Sequence, residues 1–270
     1  MKYKLIVSDL DGTALRSDKT SSERTRQAIR DYRAAGGTFI ISTGRMFESM
    51  LKVAPELGLD TLNVPICAMD GGIIKESRTG KLIEINTMPY EQAAAFAKEC
   101  EEIGVYFQVY TEDKLFVKEE NDINRTYCAI TKVQMHPVGC LSEYILKNRL
   151  QCVKVLISSD KAESYLDRFA GRFDGIQFFL SDVEYLDGAS VKAGKGNALK
   201  RIAQLFDVDM SETIAIGDSM NDVSMVSMAS LGVAMGNADV RLKKVAKMIA
   251  PSNNDDGLAY IIEKAIKDEL

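Results

Sequence analysis

The chain has 270 residues, of which 46% are hydrophobic and 27% charged, and this composition excludes a disordered, collagen-like or coiled-coil protein. At roughly 150 residues per domain, the length predicts one large domain or two smaller ones. The 34 Lys and Arg residues against 39 Asp and Glu residues leave a net charge of −5, which argues against a general nucleic-acid-binding protein.

The first part of the chain predicts a strand, a helix and a second strand. Residues 4–8 have a buried-strand pattern. Residues 20–23 (Thr-Ser-Ser-Glu) have the pattern of a capping box at the start of a helix, which the glycines at 36–37 end. Residues 38–42 form the next strand. A strand, helix and strand in this order make a βαβ unit, which predicts a parallel sheet.

The middle of the chain, from about Tyr90 to about Asp187, has a different pattern. Its apolar runs alternate more and are typical of an antiparallel or mixed sheet with one face on helices. We interpret this segment as a second α+β domain inserted into the first. The predicted strands lie at 105–110, 114–117, 153–157 and 176–180.

The last third returns to alternating strands and helices, as in the first part. The two outer parts together therefore predict an α/β domain with a parallel sheet. The predicted elements are a helix from about Asn197 to Phe206, a strand at 213–216, a helix at 222–229, a strand at 231–234 and a closing helix at 257–267.

Cysteine and histidine content limits the possible chemistry. Five scattered cysteines without a CxxC pair argue against a disulfide framework and indicate a reducing compartment. The single histidine, His136, excludes a metal site with two histidine ligands, and Pro137 beside it argues against a histidine-dependent nucleophile. No apolar run reaches membrane-spanning length, and Asp9 and Asp11 come too early for a signal peptide.

Two carboxylates directly follow the first predicted strand, in the sequence Asp-Leu-Asp-Gly-Thr at 9–13. Asp9 and Asp11 point to the same side of an extended backbone, at the sheet edge where open α/β folds bind ligands. Two carboxylates held close together need a cation or a shared proton. The alternatives are a solvated turn and an EF-hand, but Gly12 stands fourth in the motif and an EF-hand loop needs glycine sixth.

A second acidic group follows the strand predicted at 213–216. Asp218, Asn221 and Asp222 have the spacing that brings side chains to one face of a first helical turn. Helix capping is the alternative, and it explains one acid better than the whole cluster. Oxygen ligands without His or Cys favour a hard cation, Mg²⁺.

Two further motifs are weaker. The hydroxyl and free N–H groups of residues 42–45 (Ser-Thr-Gly-Arg) can hold a phosphate at a strand-to-helix turn, although an ordinary turn explains them too. Gly188 with Gly194 and Lys195 suggests a phosphate-binding P-loop. The spacing of the glycines is one residue too long, and Gly196 stands where that loop needs Ser or Thr, so a P-loop NTPase is disfavoured.

Together these motifs resemble those of the haloacid dehalogenase-like phosphohydrolases, and the resemblance covers the whole chain. The insert between the second and third motifs and the ending at 252–259 are similar to the Cof-type, class IIB subgroup. The matching motifs are DxDGT at 9–13, Thr-Gly-Arg at 43–45, Lys195-Gly196, and GDxxND at 217–222.

The resemblance implies a fold and a domain division. The fold class is α/β, with a Rossmann-like, doubly wound parallel sheet as the core and an inserted α+β cap domain. The core comprises residues 1–88 and 188–270, and the α/β cap, of the C2B type, comprises residues 89–187. The two connections between them, near Pro89 and near Gly188, are expected to act as a hinge.

The resemblance also implies an Mg²⁺-dependent phosphatase that hydrolyses small phosphomonoesters, sugar phosphates or similar metabolites. Asp9 would attack phosphorus to form an aspartyl-phosphate, and Asp11 would protonate the leaving oxygen and then activate water. The implied phosphate contacts are Leu10, Thr43, Gly44, Lys195 and Asn221. The implied metal ligands are Asp9, Asp11 through its backbone carbonyl, and Asp218, with Asn221 or Asp222 as a direct or outer ligand.

Two alternatives remain: a phosphohexomutase of the same superfamily, and a non-catalytic protein that binds phosphorylated ligands. Two positions depart from the subgroup, since Asp70 stands where Asn is usual and Lys192 competes with Lys195 for the third motif. The expected partner is a small phosphorylated metabolite, without nucleic acid or membrane. We expect a cytoplasmic monomer or weak homodimer.

Overall fold

The structure is a computed structural model that describes residues 1–59 and 64–270. Within these residues the strands form two sheets, one of eight strands and one of six. In chain order the strands are β1 (Leu5–Ser8), β2 (Thr38–Ser42), β3 (Pro65–Ala68), β4 (Ile73–Glu76), β5 (Leu82–Ile85), β6 (Phe107–Tyr110), β7 (Leu115–Val117), β8 (Met135–Pro137), β9 (Lys154–Ser158), β10 (Ile176–Asp182), β11 (Tyr185–Ser190), β12 (Thr213–Gly217), β13 (Leu231–Ala234) and β14 (Met248–Ile249).

The helices lie mainly between these strands and cover both sheets. In chain order they are α1 (Glu23–Ala34), α2 (Phe47–Leu51), α3 (Tyr90–Ile103), α4 (Asp122–Thr131), α5 (Leu141–Asn148), α6 (Ala162–Phe169), α7 (Lys195–Leu205), α8 (Val223–Met228), α9 (Val240–Val245) and α10 (Gly257–Ile266). Short 3₁₀ helices occur at Ala54–Leu57, Met69–Gly71, Met210–Glu212, Met220–Asp222 and Asn253–Asp255. None of the helices in the two described stretches is long and apolar enough to cross a membrane.

The larger sheet has the strand order β14-β13-β12-β1-β2-β3-β4-β5. It is parallel from β14 to β3, and β4 and β5 continue it antiparallel. The chain builds outward from β1 on both sides, with β2 on one flank and β12 on the other. A parallel sheet opens a crevice at such a point, outside the carboxyl ends of the strands. The predicted α/β core is therefore confirmed, with two antiparallel strands added at one edge.

The apolar residues of helix α1 determine which of its faces packs against this sheet. Its buried residues, Ala28, Ile29 and Tyr32, recur at helical spacing and face the core. The predicted capping box at 20–23 is wrong in detail, because Ser22 is the N-cap and accepts from the Thr25 amide at 3.0 Å. Thr20 lies instead in a turn, where its amide and hydroxyl both donate to Asp18.

The smaller sheet has the order β10-β11-β9-β6-β7-β8 and is antiparallel except for the β7–β8 pair. The mixed sheet predicted for this segment is therefore confirmed. It has a separate hydrophobic core built around Phe96, whose ring lies 5.1 Å from that of Phe169 and 5.2 Å from that of Phe178. Strand β11 runs to Ser190, so the predicted border at residue 188 lies inside an element, and the exact domain borders stay a prediction.

Several strands and helices were not placed from the sequence, namely β3, β4, β5, β8, β11, β14, α2, α3, α4, α5, α6 and α9. Helix α7 starts at Lys195, two residues before the predicted start at Asn197. This shift puts Lys195 in the first turn, where its side chain is buried. The five cysteines, all within the described residues, are free thiols, as their scatter predicts.

Candidate active site

The predicted site residues meet at the carboxyl edge of the larger sheet. Strands β12, β1 and β2 lie side by side and parallel, so the loops that follow them end at the same place. A cavity of about 380 Å³ lies between these loops and the smaller sheet. From the larger sheet its lining includes Asp9, Asp11, Thr43, Asp218 and Asn221.

Lys195 lies at the centre of the polar cluster and is 1% exposed. Its Nζ is 2.6 Å from Asp9 Oδ1 and 2.6 Å from Asp222 Oδ1. Burial alone disfavours the charged ammonium, but the two carboxylates outweigh this and raise the pKa of Lys195. The lysine is therefore a fixed cation directly beside the Asp9 carboxylate.

Three carboxylates crowd around this cation. Ligand oxygens of Asp9, Asp218 and Asp222 all lie within 4.8 Å of one another. Burial and the neighbouring charges of Asp222 and Asp218 raise the pKa of Asp9 despite Lys195. Burial, together with the charge of Asp222, raises the pKa of Asp218 to about 7. One ammonium does not balance three carboxylates, so the cluster has the charge and oxygen donors that fit a divalent hard cation.

The three acids have different surroundings. Asp222 uses Oδ1 for Lys195, and its Oδ2 accepts from the backbone N–H groups of Asp218 and Ser219, both at 2.9 Å. Both Asp222 oxygens thus have protein partners, and Oδ2 is the one that shapes the loop. Asp218 accepts from the Thr13 hydroxyl at 2.8 Å. Gly12 lies against Asp218 with a φ of +77°, and a Cβ there would collide with the carboxylate.

Asp11 has basic partners on the cavity side. Arg45 donates to both of its oxygens, and Lys19 Nζ lies 2.9 Å from Oδ1. Burial opposes ionisation of Asp11, but the hydrogen bonds and charges of Arg45 and Lys19 lower its pKa overall. The side chain of Asp11 therefore has basic partners of its own and is not one of the three acids that surround Lys195.

The remaining predicted residues are in place around these groups. Thr43 is buried, and its hydroxyl accepts from the Arg45 amide at 3.2 Å. The Leu10 side chain is fully buried in the core, so only its backbone can reach a phosphate. Lys192 is exposed, whereas Lys195 contacts Asp9. The lysine that reaches the cluster is therefore the one preferred from the sequence.

Asn221 and Asp70 form a polar contact behind the cavity. Asn221 Nδ2 donates to Asp70 Oδ1 at 2.8 Å. The Asn221 Oδ1 atom is buried and has no hydrogen-bond partner within the described residues. A buried acceptor without a donor fits a site that binds a cation or a ligand N–H or O–H group.

Three polar residues near the site were not predicted from the sequence: Lys19, Lys154 and Asp187. Lys154 and Asp187 lie on strands of the smaller sheet, and both are buried. The available signal was a lysine inside the apolar run at 153–157, since a charged residue at a buried strand position needs a partner.

Comparison with known proteins agrees with this geometry. Residues 6–262 match the sequence pattern of the haloacid dehalogenase-like hydrolases. The chain belongs to that family. It is 28% identical to phosphatase YwpJ of Bacillus subtilis, over 96% of this chain and 99% of the relative. It is 26% identical to the pyridoxal phosphate phosphatase YbhA of Escherichia coli, over 97% of this chain and 98% of that protein.

Solved structures of family members share the fold. A haloacid dehalogenase-like hydrolase from Bacteroides thetaiotaomicron is 28% identical, with a TM-score of 0.82 over 97% of this chain and 99% of the other. The subclass IIB sugar phosphatase BT4131 has a TM-score of 0.85 at 22% identity, over 96% of this chain and 98% of the other, and shows the same fold. The predicted family, fold class and enzyme type are thus confirmed, and the protein is a phosphatase of this superfamily.

Proposed function

We propose that the enzyme hydrolyses small phosphomonoesters with Mg²⁺ and that the phosphoryl group passes through Asp9. The main supporting observation is the position of Lys195, buried between Asp9 and Asp222 at the carboxyl edge of the sheet. A fixed cation beside a carboxylate nucleophile reduces its repulsion of an incoming phosphate and stabilises the charge of the transition state.

Asp9 is the proposed nucleophile. Lys195 holds Oδ1, and among the described residues no hydrogen-bond donor contacts Oδ2, on a side chain that lines the cavity. Oδ2 would attack phosphorus, so that a bond forms between this oxygen and phosphorus while the bond between phosphorus and the ester oxygen breaks. Water would then attack the aspartyl-phosphate, release inorganic phosphate and regenerate the carboxylate.

Asp11 is the proposed acid and base. It lies two residues after Asp9 and lines the same cavity. Because Arg45 and Lys19 lower its pKa, its carboxyl group would first take up a proton from solvent as substrate displaces these partners, and it would then give that proton to the leaving ester oxygen in the first half-reaction. It would then take a proton from the attacking water in the second half-reaction, which returns the site to its starting state.

The donor set fits Mg²⁺. We propose that Asp9, the backbone carbonyl of Asp11, Asp218 and the unpartnered Oδ1 of Asn221 would hold the ion, while Asp222 holds Lys195 with Oδ1 and orients the loop with Oδ2. A bound Mg²⁺ supplies positive charge that offsets the repulsion between a carboxylate nucleophile and a phosphate. Thr43 and Gly44, with the backbone of Leu10, are proposed to contact the phosphoryl oxygens.

The leaving group of the substrate would lie against the smaller sheet. On that side the cavity is lined mostly by aromatic, hydroxyl and aliphatic groups, with Lys154 and Asp182 as charged residues, and such a lining suits a small polar metabolite such as a sugar phosphate. One relative, of Bacillus subtilis, is named for a phosphoribitylaminouracil substrate and another for pyridoxal phosphate. The uncharged residues that line the cavity on the side of the smaller sheet are Tyr127, Ile130, Thr131, Leu156, Ser181 and Tyr185.

A phosphate-release assay with a panel of phosphorylated metabolites, with and without Mg²⁺, tests the proposal. We expect release that stops in EDTA and returns with Mg²⁺. A phosphohexomutase would instead interconvert hexose phosphates in the presence of a bisphosphate and release little phosphate. A binding protein would shift its melting temperature with a phosphorylated ligand and release none.

A further inference from the structure

A buried ion cluster joins the two sheets behind the cavity. We call it the Asp70–Lys154–Asp187 triad. Lys154 begins β9 of the smaller sheet, and Asp187 lies on the neighbouring strand β11. Asp70 lies between β3 and β4 of the larger sheet. All three side chains are buried, and neither the fold nor the proposed chemistry requires charged residues there.

Lys154 uses its donors within the protein. Its Nζ lies 2.7 Å from Asp187 Oδ2, 3.1 Å from Asp70 Oδ2 and 3.4 Å from the Gly44 carbonyl. The contacts with Asp70 and Gly44 are hydrogen bonds, and the contact with Asp187 is an ion pair, so three protein groups surround the ammonium. Lys154 lines the cavity but is already committed to protein partners.

Asp70, which pairs with Lys154, also forms hydrogen bonds with the loops of the site. Its backbone N–H donates to the Thr43 carbonyl at 3.0 Å, and its own carbonyl accepts from the Gly194 N–H at 2.7 Å. Its side chain accepts from Asn221 at 2.8 Å. One residue therefore contacts the loop after β2, the residue before Lys195, and the loop after β12.

The backbone at this point is held in an unfavourable conformation. Met69 and Asp70 have φ values of 48° and 55°, in the left-handed region that residues other than glycine rarely adopt. Such a conformation persists when its surroundings hold it in place, and it is common near functional sites. Here the three hydrogen bonds of Asp70 and its pairing with Lys154 do so.

We propose that Lys154 is a positioning residue that couples docking of the smaller sheet to the arrangement of the three site loops. When the smaller sheet is docked, Lys154 holds Asp70, and Asp70 holds the loops that carry Thr43, Lys195 and Asn221. When the sheet moves away, Asp70 loses its counter-ion and the loops lose a shared anchor. This coupling rests on the proposed function, since those loops are the proposed phosphate and metal site.

Hydrogen exchange of backbone amides tests the coupling without any turnover. In Lys154→Met we expect amides in peptides covering 42–46, 193–196 and 217–223 to exchange about tenfold faster or more than in the parent. The matched control is Lys75→Met. Lys75, on β4, pairs at 2.9 Å with Glu112 of the inserted segment, so it also joins the two parts. Its other partners, Glu48 and Phe47, lie on α2, outside the three peptides.

The outcomes separate the possible roles of Lys154. Faster exchange confined to the three loops, with Lys75→Met like the parent there, supports the proposal. Equal behaviour of the two variants, or faster exchange throughout the chain, contradicts it. If Lys154→Met does not fold, Asp70→Asn takes its place, because it keeps the shape of the side chain and removes the charge, and we expect a smaller effect in the same peptides.

Kinetics provide the second readout. We expect Lys154→Met to lower kcat for p-nitrophenyl phosphate about tenfold or more with little change in KM, and Lys154→Arg to recover part of the loss. A large rise in KM with normal loop exchange would instead make Lys154 a substrate contact and contradict the proposal. If the parent releases no phosphate from any substrate, the proposed function fails, while the exchange result still decides the coupling.

Discussion

Arg45 binds Asp11 at two points, with Nε 2.6 Å from Oδ2 and Nη2 2.7 Å from Oδ1. The pair fixes the carboxyl group at the mouth of the cavity and keeps it separate from the acids that surround Lys195. Two neighbouring aspartates, Asp9 and Asp11, therefore have different partners. In the proposed function Asp9 is the nucleophile and Asp11 the acid and base, and each side chain has its own set of partners.

Replacing Asp11 with Asn should therefore affect substrates unequally. Asn cannot give a proton to the leaving oxygen, so phosphates of ordinary alcohols should lose activity more than p-nitrophenyl phosphate, whose leaving group needs little protonation. We expect a difference of about tenfold or more between the two losses in kcat/KM. Equal losses for both kinds of substrate would remove Asp11 from the acid role.

The two lysines of the third motif should respond very differently to the same change. Lys195→Met leaves Asp9 and Asp222 buried without their cation, so we expect the free energy of unfolding to fall by about 3 kcal/mol and kcat to fall about 100-fold or more. Lys192→Met should change the free energy of unfolding by less than about 0.5 kcal/mol, because Lys192 is exposed. Urea unfolding and phosphate release measure both. Similar effects of the two variants would contradict the assignment of Lys195, rather than Lys192, to the third motif.

The triad should make stability depend on pH. Burial raises the pKa of Asp187 to about 6, because Lys154 cannot neutralise both Asp187 and Asp70. The unfolded chain ionises this carboxyl near pH 4. Since the folded pKa is the higher one, its contribution to stability is complete below about pH 4 and is lost as the pH rises through about 6.

Asp187→Asn removes this titration. Between pH 5 and pH 7 we expect the melting temperature of the parent to fall further than that of Asp187→Asn. This comparison concerns the change with pH, so a constant difference in melting temperature between the two proteins does not affect it. Asp160→Asn, at an exposed carboxylate, is the matched control and should follow the parent. Parallel curves for the parent and Asp187→Asn would show that Asp187 keeps the same charge over this range.

The leaving-group side of the cavity should disfavour anionic substrates. Among the described residues that the smaller sheet contributes to the lining, the one ammonium, Lys154, is paired, and Asp182 contributes an exposed carboxylate. We expect kcat/KM for glucose 6-phosphate to exceed that for 6-phosphogluconate several-fold, by a margin that shrinks as salt screens the charge. Asp182→Asn should narrow the margin, and Asp174→Asn, outside the cavity lining, should leave it unchanged. Faster hydrolysis of 6-phosphogluconate would show that a cation is available there.

Much of the fold was predictable because the apolar spacing within short stretches of sequence indicates their strands and helices. The strand before Asp9 is four buried residues, and the βαβ order around α1 follows from apolar spacing and flanking glycines. The positions of Asp9, Lys195 and Asp218 were predictable because each motif follows a strand or begins a helix at one sheet edge. Strands β3 to β5 were missed because Pro65 in β3 and charged residues in β4 and β5 interrupt their short apolar runs.

The polar contacts between the two sheets were not predictable in the same way. Asp70 and Lys154 are 84 positions apart, and no local pattern pairs them. In the sequence, Lys154 is one charge in an apolar run and Asp70 one acid in a glycine-rich turn. Only the packing of β9 against the loop after β3 identifies each as the partner of the other.

The central claim is that the phosphoryl group is carried by Asp9, and acid quenching during turnover tests it most directly. The parent is mixed with excess p-nitrophenyl phosphate and Mg²⁺ and quenched in acid within the first turnover. It should then carry one phosphoryl group. Peptide mapping should assign this group to Asp9, and hydroxylamine should remove it. Asp9→Asn should carry none and should lose activity by about 1,000-fold or more. Rapid phosphate release by the parent with no protein-bound phosphoryl group, or full activity in Asp9→Asn, would contradict the account.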